Sequence, residues 1–239
     1  MIYVISDIHG CFEEFKSLLK QIHFSSSDEL YLLGDFIDRG PEPIKLIQFI
    51  MLYPNIYPIL GNHEYMAMKI LSKLDLEITE NTVDILTTND IQGYLYWMQD
   101  GGEQTANQFR KLDKEDREDI LDYLNECSLY EDLYRNGNRF VLVHAGINNF
   151  DENKPLYIYE PEDFIFIRPD YEKRYFSDEH TYLLTGHTPT FCIREDRKKI
   201  VFEQNGHIAI DCGCVFGGML AAFCLDTGES FYVEGKVYA

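Results

Sequence analysis

Residues 34–40 read GDFIDRG and follow directly on the apolar run ELYLL at 29–33. A strand that ends in a glycine-bracketed loop is ordinary. A loop that gathers Asp35, Asp38 and Arg39 at that strand end is a concentration of charge where a sheet opens to solvent. Either aspartate alone reads as a turn residue, since aspartate is common there. The wider pattern decides between the two readings.

The same arrangement recurs along the chain. IYVIS is followed by Asp7-Ile8-His9-Gly10, and NIYPIL by Gly61-Asn62-His63-Glu64. RFVLV is followed by His144-Ala145-Gly146, and TYLLT by Gly186-His187-Thr188. Ligands in open α/β sheets bind outside the carboxyl ends of the strands. Five strand ends bearing aspartate, histidine or asparagine predict a cluster of oxygen and nitrogen donors there. Such a mixed set suits Mn²⁺, Fe or Zn²⁺, whereas purely oxygen donors favour Mg²⁺ or Ca²⁺. Asp7 and His9, two residues apart, share one side of an extended chain. The candidate ligands outnumber what one ion needs, which predicts two ions about 3.5–4 Å apart with a bridging carboxylate.

The first 75 residues alternate strand and helix, as βαβ units with a parallel sheet do. The helices are expected over FEEFKSLLKQI, EPIKLIQFIML and EYMAMKILSKL. Residues 76–128 are polar and helical in pattern and are expected to form an insertion or cap. Strands return as RFVLVH, FIFIR, TYLLTGH, KIVFE, HIAID, MLAAFCLD and ESFYV, the last four spaced as an antiparallel meander. With no internal repeat or linker, residues 1–239 are expected to form one domain.

Composition narrows the partners. The 239 residues carry 21 basic and 41 acidic side chains, a net charge of −20. A general nucleic-acid binder needs a basic footprint, so that class is disfavoured. An anionic substrate would have to be held by local positive charge. Cys11, Cys127, Cys192, Cys212, Cys214 and Cys224 lack the spacing of a secreted disulfide framework. The CGC pair lacks a second half-site, so buried small residues are the preferred reading. No apolar run approaches the ~20 residues needed to span a bilayer. The chain opens on a strand with no secretory pattern, and a cytoplasmic location without membrane association is expected.

In this order, SDIHG, GDFIDRG, GNHE, HAG and GHT closely resemble the motifs of metallophosphoesterases of the phosphoprotein phosphatase type. The resemblance is to the compact bacterial branch that includes symmetrical diadenosine tetraphosphate hydrolases. It spans residues 6–188, and DCGCVFGGML near the end extends it. Ser6 departs from the glycine common at that position. The resemblance implies a calcineurin-like α/β (α+β) fold of two mixed β-sheets packed as a sandwich and flanked by helices, with a helical insertion.

It also implies roles. One metal would be held by Asp7, His9 and Asp35. The second would be held by Asp35, Asn62, His144 and His187, with a bridging water or hydroxide as nucleophile. His63 would be the general acid, oriented by Asp38, and Arg39 and Arg168 would bind phosphate. Manganese is the expected ion in vitro, with iron or zinc as alternatives. Glu64 is read either as a helix N-terminal charge or as support for the ligands.

His23, His180 and His207 follow no motif and are read as surface or core. DGGEQT at 100–105 is expected to form a loop on the substrate side, and Gly217-Gly218 to allow close backbone packing. Trp97 is read as core of the insertion, with an adenine platform as the lesser alternative. The leading functional expectation is a phosphatase acting on phosphorylated Ser, Thr or Tyr in proteins. The alternative is hydrolysis of diadenosine tetraphosphate or another small nucleotide. An aromatic-lined pocket beside the metals would mark the nucleotide enzyme, and an open groove the protein phosphatase. A non-catalytic scaffold would lack the acid or several ligands, and all are present. The tyrosine of purple acid phosphatases, three residues after the bridging aspartate, is replaced by Asp38.

Overall fold

A computed structural model of the chain describes residues 1–74 and 87–239. Its first strands follow from apolar runs and its first helices from apolar stripes. β1 (Ile2–Ile5), β2 (Glu29–Leu33) and β3 (Ile56–Ile59) lie parallel, with β2 in the middle. Alternate side chains go to opposite faces, and here both faces are covered. Tyr3, Ile5, Leu30 and Leu32 meet the helices, while Val4, Tyr31 and Leu33 face the second sheet. Strands buried on both faces read as continuous apolar sequence.

Helix α1 (Phe12–Gln21) places Phe12, Phe15, Leu18 and Leu19 on one buried stripe. Its first turn carries Glu13 and Glu14 and its last turn Lys20, which complement the helix dipole. Helix α2 (Pro43–Ile50) begins on a proline whose fixed φ suits a first turn. Helix α3 (Asn62–Leu74) starts at the site residue Asn62 itself.

Where it is described, the expected insertion is mainly helical, as α4 (Thr88–Trp97), α5 (Glu103–Phe109) and α6 (Lys114–Asn125). Its first part, 76–86, lies outside the described residues. Trp97, Phe109, Ile120 and Leu124 join the same buried cluster as α1 and α2. The segment is therefore packed onto the sheet's helical layer. Between α4 and α5 the chain makes a π-type turn at Met98–Gly102, with Gly101 at φ 101°.

The second sheet holds β4 (Tyr130–Arg135), β5 (Asn138–Val143), β6 (Thr181–Thr185), β7 (Phe202–Gln204) and β8 (His207–Ala209), in the order β4-β5-β6-β8-β7. β5, β6 and β8 are parallel, and the outer strands are antiparallel. The first sheet is completed by β9 (Met219–Cys224) and β10 (Ser230–Glu234), giving β10-β9-β1-β2-β3. Phe140, Leu142, Leu184 and Ile208 fill the layer between the sheets. The arrangement is the mixed two-sheet sandwich with flanking helices that the sequence predicts. Among the described residues no helix is long and apolar enough to cross a membrane.

Three expectations are corrected. FIFIR is not a strand, because Phe164 and Ile165 end a short helix at Pro161–Ile165. Glu160 and Asp163 form a capping box there, and Pro161 takes the first turn; these helix-start signals outweigh the β-propensity of the following residues. The last four strands are not one meander but two hairpins, one in each sheet, because DCGCVFGG carries the chain from β8 across to β9. Strand β4 was not foreseen. Its turn to β5 is Asn136-Gly137, both at positive φ, which is the strongest short hairpin signal in a sequence.

Gly34 ends β2 at φ 74°, and a Cβ there would lie 2.5 Å from the Gly61 Cα at the end of β3. The two loops can touch only because both residues are glycines. Gly34→Ala adds a left-handed penalty of ~1–2 kcal/mol to overpacking of ~1–3 kcal/mol. Urea denaturation is therefore expected to show a loss of about 2–5 kcal/mol, and an unchanged midpoint would contradict this packing.

Candidate metal centre

The carboxyl ends of β1, β2, β3, β5 and β6 converge, and the loops that leave them are strained. Among the described residues, eleven non-glycine residues have positive φ, and Asp7, His9, Asp35, Asp38, Arg39 and His187 are six of them. For residues with a Cβ this conformation is sparsely populated and collects at functional sites.

Asp35 is the centre, 2% exposed. On one side its carboxylate forms a group with His9 and His63, and on the other with His144 and His187. The Asp35 oxygens lie 3.7 Å from His9 Nε2, 3.9 Å from His63 Nε2 and 3.4 Å from His144 Nε2. Burial opposes its ionisation, but the imidazoles around it, His144 first, hold its pKa far below the usual range. Asp7 is buried beside this cluster. Its carboxylate accepts from the backbone N–H of His187, at 2.9 and 3.1 Å, and from the Ser6 hydroxyl. Burial, and then the charges of Asp211 and Asp35, push Asp7 up.

The donor set fits metal ions. His9 Nδ1 lies 2.9 Å from the Ile37 carbonyl and His144 Nδ1 2.6 Å from that of Leu33. Both rings therefore carry their proton on Nδ1 and turn an Nε2 lone pair inward. Burial lowers the pKa of His9, His144 and His187, the last to about 3, so the rings stay neutral. The His144 lone pair then faces the Asn62 carbonyl oxygen at 2.9 Å, acceptor against acceptor. Such a pair calls for a cation. The ligands predicted for the second ion, Asp35, Asn62, His144 and His187, are thus together. Of the first set, His9 and Asp35 are together, while Asp7 is turned to the His187 backbone.

His63 sits at the edge of this cluster, fully buried, with Nδ1 2.7 Å from Asp38 Oδ2. Its Nε2 has no hydrogen-bond partner among the described residues and lies 3.5 Å from Asp100 Oδ2. Burial favours the neutral ring, but the Asp35 charge and the Asp38 hydrogen bond outweigh it and raise the pKa to about 9. Asp38 is held in turn by Trp97 Nε1 at 2.6 Å and Thr105 Oγ1 at 2.5 Å. Trp97 is fully buried. It is core, as expected, but it also orients the His63–Asp38 pair, and the adenine-platform alternative is excluded. DGGEQT forms one wall of the site, as anticipated, through Asp100, Gly101 and Thr105.

Arg39 points further inward than predicted. Its guanidinium donates to Asp100 Oδ1 at 2.8 Å and meets His9 Nε2 at 2.8 Å. It still lines an open cavity of about 860 Å³ with Asp35, Asn62 and His187. Arg168 lines the same cavity from an exposed loop position. Glu64 proves to be a support for the ligands: its carboxylate accepts from the backbone N–H groups of Asp35, Phe36, Ile37 and Gly61 at 2.7–3.2 Å.

Asp211 was missed, and so were the particular contacts of Asp100 with His63, Thr105 with Asp38 and Ser6 with Asp7. Asp211 was legible, because it follows β8 as Asp35 follows β2, and burial, with the Asp35 charge, raises it to about 7. Asp100 reaches the site through the π-type turn, which no spacing announces. Gly218 packs against the Cys212 carbonyl, as expected. His207 is a core residue with Nε2 2.7 Å from Thr185 Oγ1. Cys212 and Cys214 are buried, as expected, and Cys192 is exposed.

Glu64→Ala leaves four backbone donors without their acceptor in a buried site. A loss of about 2–5 kcal/mol in urea denaturation is expected; a loss under ~1 kcal/mol would show that the loop holds itself.

Comparison with known proteins agrees with this geometry. The family model described as calcineurin-like phosphoesterase matches residues 1–209. The asymmetrical bis(5'-nucleosyl)-tetraphosphatase PrpE of Bacillus subtilis is 28% identical over 263 aligned positions, covering 98% of this chain and 94% of that protein. The symmetrical bis(5'-nucleosyl)-tetraphosphatase of Wigglesworthia glossinidia brevipalpis is 37% identical over 99 residues, covering 40% of this chain and 36% of that protein. This chain thus spans well under half of that symmetrical relative. Among solved structures, a protein serine/threonine phosphatase from Saccharomyces cerevisiae superimposes with a TM-score of 0.58 at 14% identity, covering 100% of this chain and 80% of that one, which is a likeness of fold. With a family model covering most of its length and the donors at its strand ends gathered around Asp35, the chain belongs to the calcineurin-like phosphoesterase family.

Proposed function

We propose that the chain hydrolyses bis(5'-nucleosyl) polyphosphates such as diadenosine tetraphosphate, using two divalent metal ions. The observation that carries this reading is the cavity beside Asp35. Tyr96, Phe166, Phe191 and Phe216 line it together with Arg39, Arg168 and Lys199. Aromatic faces take a nucleobase by stacking, and the three cations suit a phosphate chain. Its volume is that of a small-molecule site. The names of the bis(5'-nucleosyl)-tetraphosphatase relatives support the same substrate class. The phosphoprotein substrate that led on sequence grounds gives way to the nucleotide alternative.

Asp7, His9 and Asp35 would hold one ion, and Asp35, Asn62, His144 and His187 the other. Bound there, the ions supply an activated water and neutralise charge on the phosphoryl oxygens. Manganese is the proposed ion in vitro. Arg39 and Arg168 orient the phosphate chain through the fork of the guanidinium. His63 delivers a proton from Nε2 to the leaving oxygen, and Asp38 fixes the ring through Nδ1. Trp97 and Thr105 keep Asp38 in place. Asp100, next to His63 Nε2 and Arg39, couples the acid to the phosphate-binding arginine.

The test compares manganese-loaded with chelator-treated protein on p-nitrophenyl phosphate, a phosphoserine peptide and diadenosine tetraphosphate. Preferential, manganese-dependent cleavage of the dinucleotide is expected. Two molecules of ADP would mark symmetrical cleavage, and ATP with AMP asymmetrical cleavage. Preference for the peptide would sink this reading.

His63→Asn is expected to lower kcat about 10²–10⁴-fold while metal content, read by plasma mass spectrometry, stays unchanged. Asp35→Asn is expected to lose both activity and metal. Full turnover in the His63 variant would remove it from the acid role.

A further inference from the structure

A second cavity of about 840 Å³ adjoins the first and shares Arg168 and Cys192 with it as a ridge. No role in the reaction proposed above calls for it. Its walls differ from those of the first cavity. Tyr171 and Phe202, edge-to-face at 5.8 Å, supply aromatic surface. Asp170, Glu172, Glu195, Asp196 and Glu203 supply carboxylates. The cationic side chains are Arg168 and Arg194, and Arg194 is already spent on a two-pronged pair with Asp196 at 2.8 Å. Thr188, 5% exposed and next to the candidate ligand His187, also lines this cavity. Its hydroxyl is buried beside Tyr171 and makes no hydrogen bond of ordinary geometry.

We infer that this second cavity is a subsite for the distal nucleoside of a dinucleotide whose phosphate chain crosses the Arg168 ridge from the metal cluster. The inference rests on the dinucleotide reading and extends it. A lining so rich in carboxylates repels phosphate, so the chain of phosphates must stop at Arg168. A nucleoside is neutral, and its ribose hydroxyls and exocyclic amine are hydrogen-bond donors. Carboxylates accept such hydroxyls in other nucleotide sites. Glu203 makes no hydrogen bond to another described side chain, so it stands available. Arg168, exposed and without an ion pair among the described residues, is free to hold the bridging phosphate. Phe202 and Tyr171 offer the base an apolar surface, which suits any of the bases.

The experiment measures kcat/KM for diadenosine tetraphosphate, adenosine 5'-tetraphosphate and p-nitrophenyl phosphate on manganese-loaded protein. The variants are Phe202→Ala, Phe202→Tyr and Glu203→Ala. Phe202→Ala is expected to lower dinucleotide efficiency about tenfold relative to the two substrates that lack a second nucleoside, through KM rather than kcat. Glu203→Ala, at an exposed position that does not endanger folding, is expected to act in the same direction. Phe202→Tyr keeps a ring and is expected to restore the preference.

Equal effects on all three substrates, or none, would overturn the subsite while leaving dinucleotide hydrolysis standing. Absence of dinucleotide cleavage by the unaltered protein would overturn both. A preference for lysine-bearing over neutral phosphopeptides that Glu203→Ala abolishes would instead make the cavity a site for basic side chains.

Discussion

One buried carboxylate organises this protein. Asp35 keeps its charge at 2% exposure because the protonated ring of His63 lies 3.9 Å away and the His63 backbone N–H donates to it at 3.1 Å, while the lone pairs of the other rings leave room for a cation. An isolated buried charge would be driven to neutralise. Here the partners come from four other strand ends, so the charge is stable only when both sheets are correctly placed. The left-handed conformations of Asp7, His9, Asp35, Asp38, Arg39 and His187 follow from the same demand. Glu64 then ties the β2 loop to the start of α3, fixing the geometry from behind.

A second constraint is the overall charge. A net charge of −20 disfavours any approach by a polyphosphate. The first cavity sets Arg39, Arg168 and Lys199 against Asp35, Asp100 and Asp211, and bound metal ions would turn that balance positive. The second cavity keeps the acidic character of the rest of the chain. Arg168, on the ridge between them, belongs to both.

Much of the site was legible before any coordinates. Strands buried on both faces had to be unbroken apolar runs, so IYVI, LYLL and FVLV announced themselves, and the candidate donors are the residues just after them. Asp211 closes HIAID as Asp35 follows ELYLL, so the same rule reaches it. Trp97, Thr105 and Asp100 were a different matter. They reach the His63–Asp38 pair from α4, α5 and the turn between them, far along the sequence, and no local spacing encodes that approach. The path of the C-terminal strands was also hidden. Hairpin signals say which neighbours pair, and not which sheet receives them, so two hairpins in separate sheets read as one meander. FIFIR misled because apolar residues at the end of a short capped helix resemble a buried strand.

The central claim is that the strand ends assemble a two-ion site bridged by Asp35. It is tested most directly by anomalous diffraction from crystals grown with manganese. Two peaks ~3.5–4 Å apart, one on each side of the Asp35 carboxylate, are predicted, with Asp7 turned from the His187 backbone toward the peak shared with His9. A single peak, or two that do not share Asp35, would contradict the account.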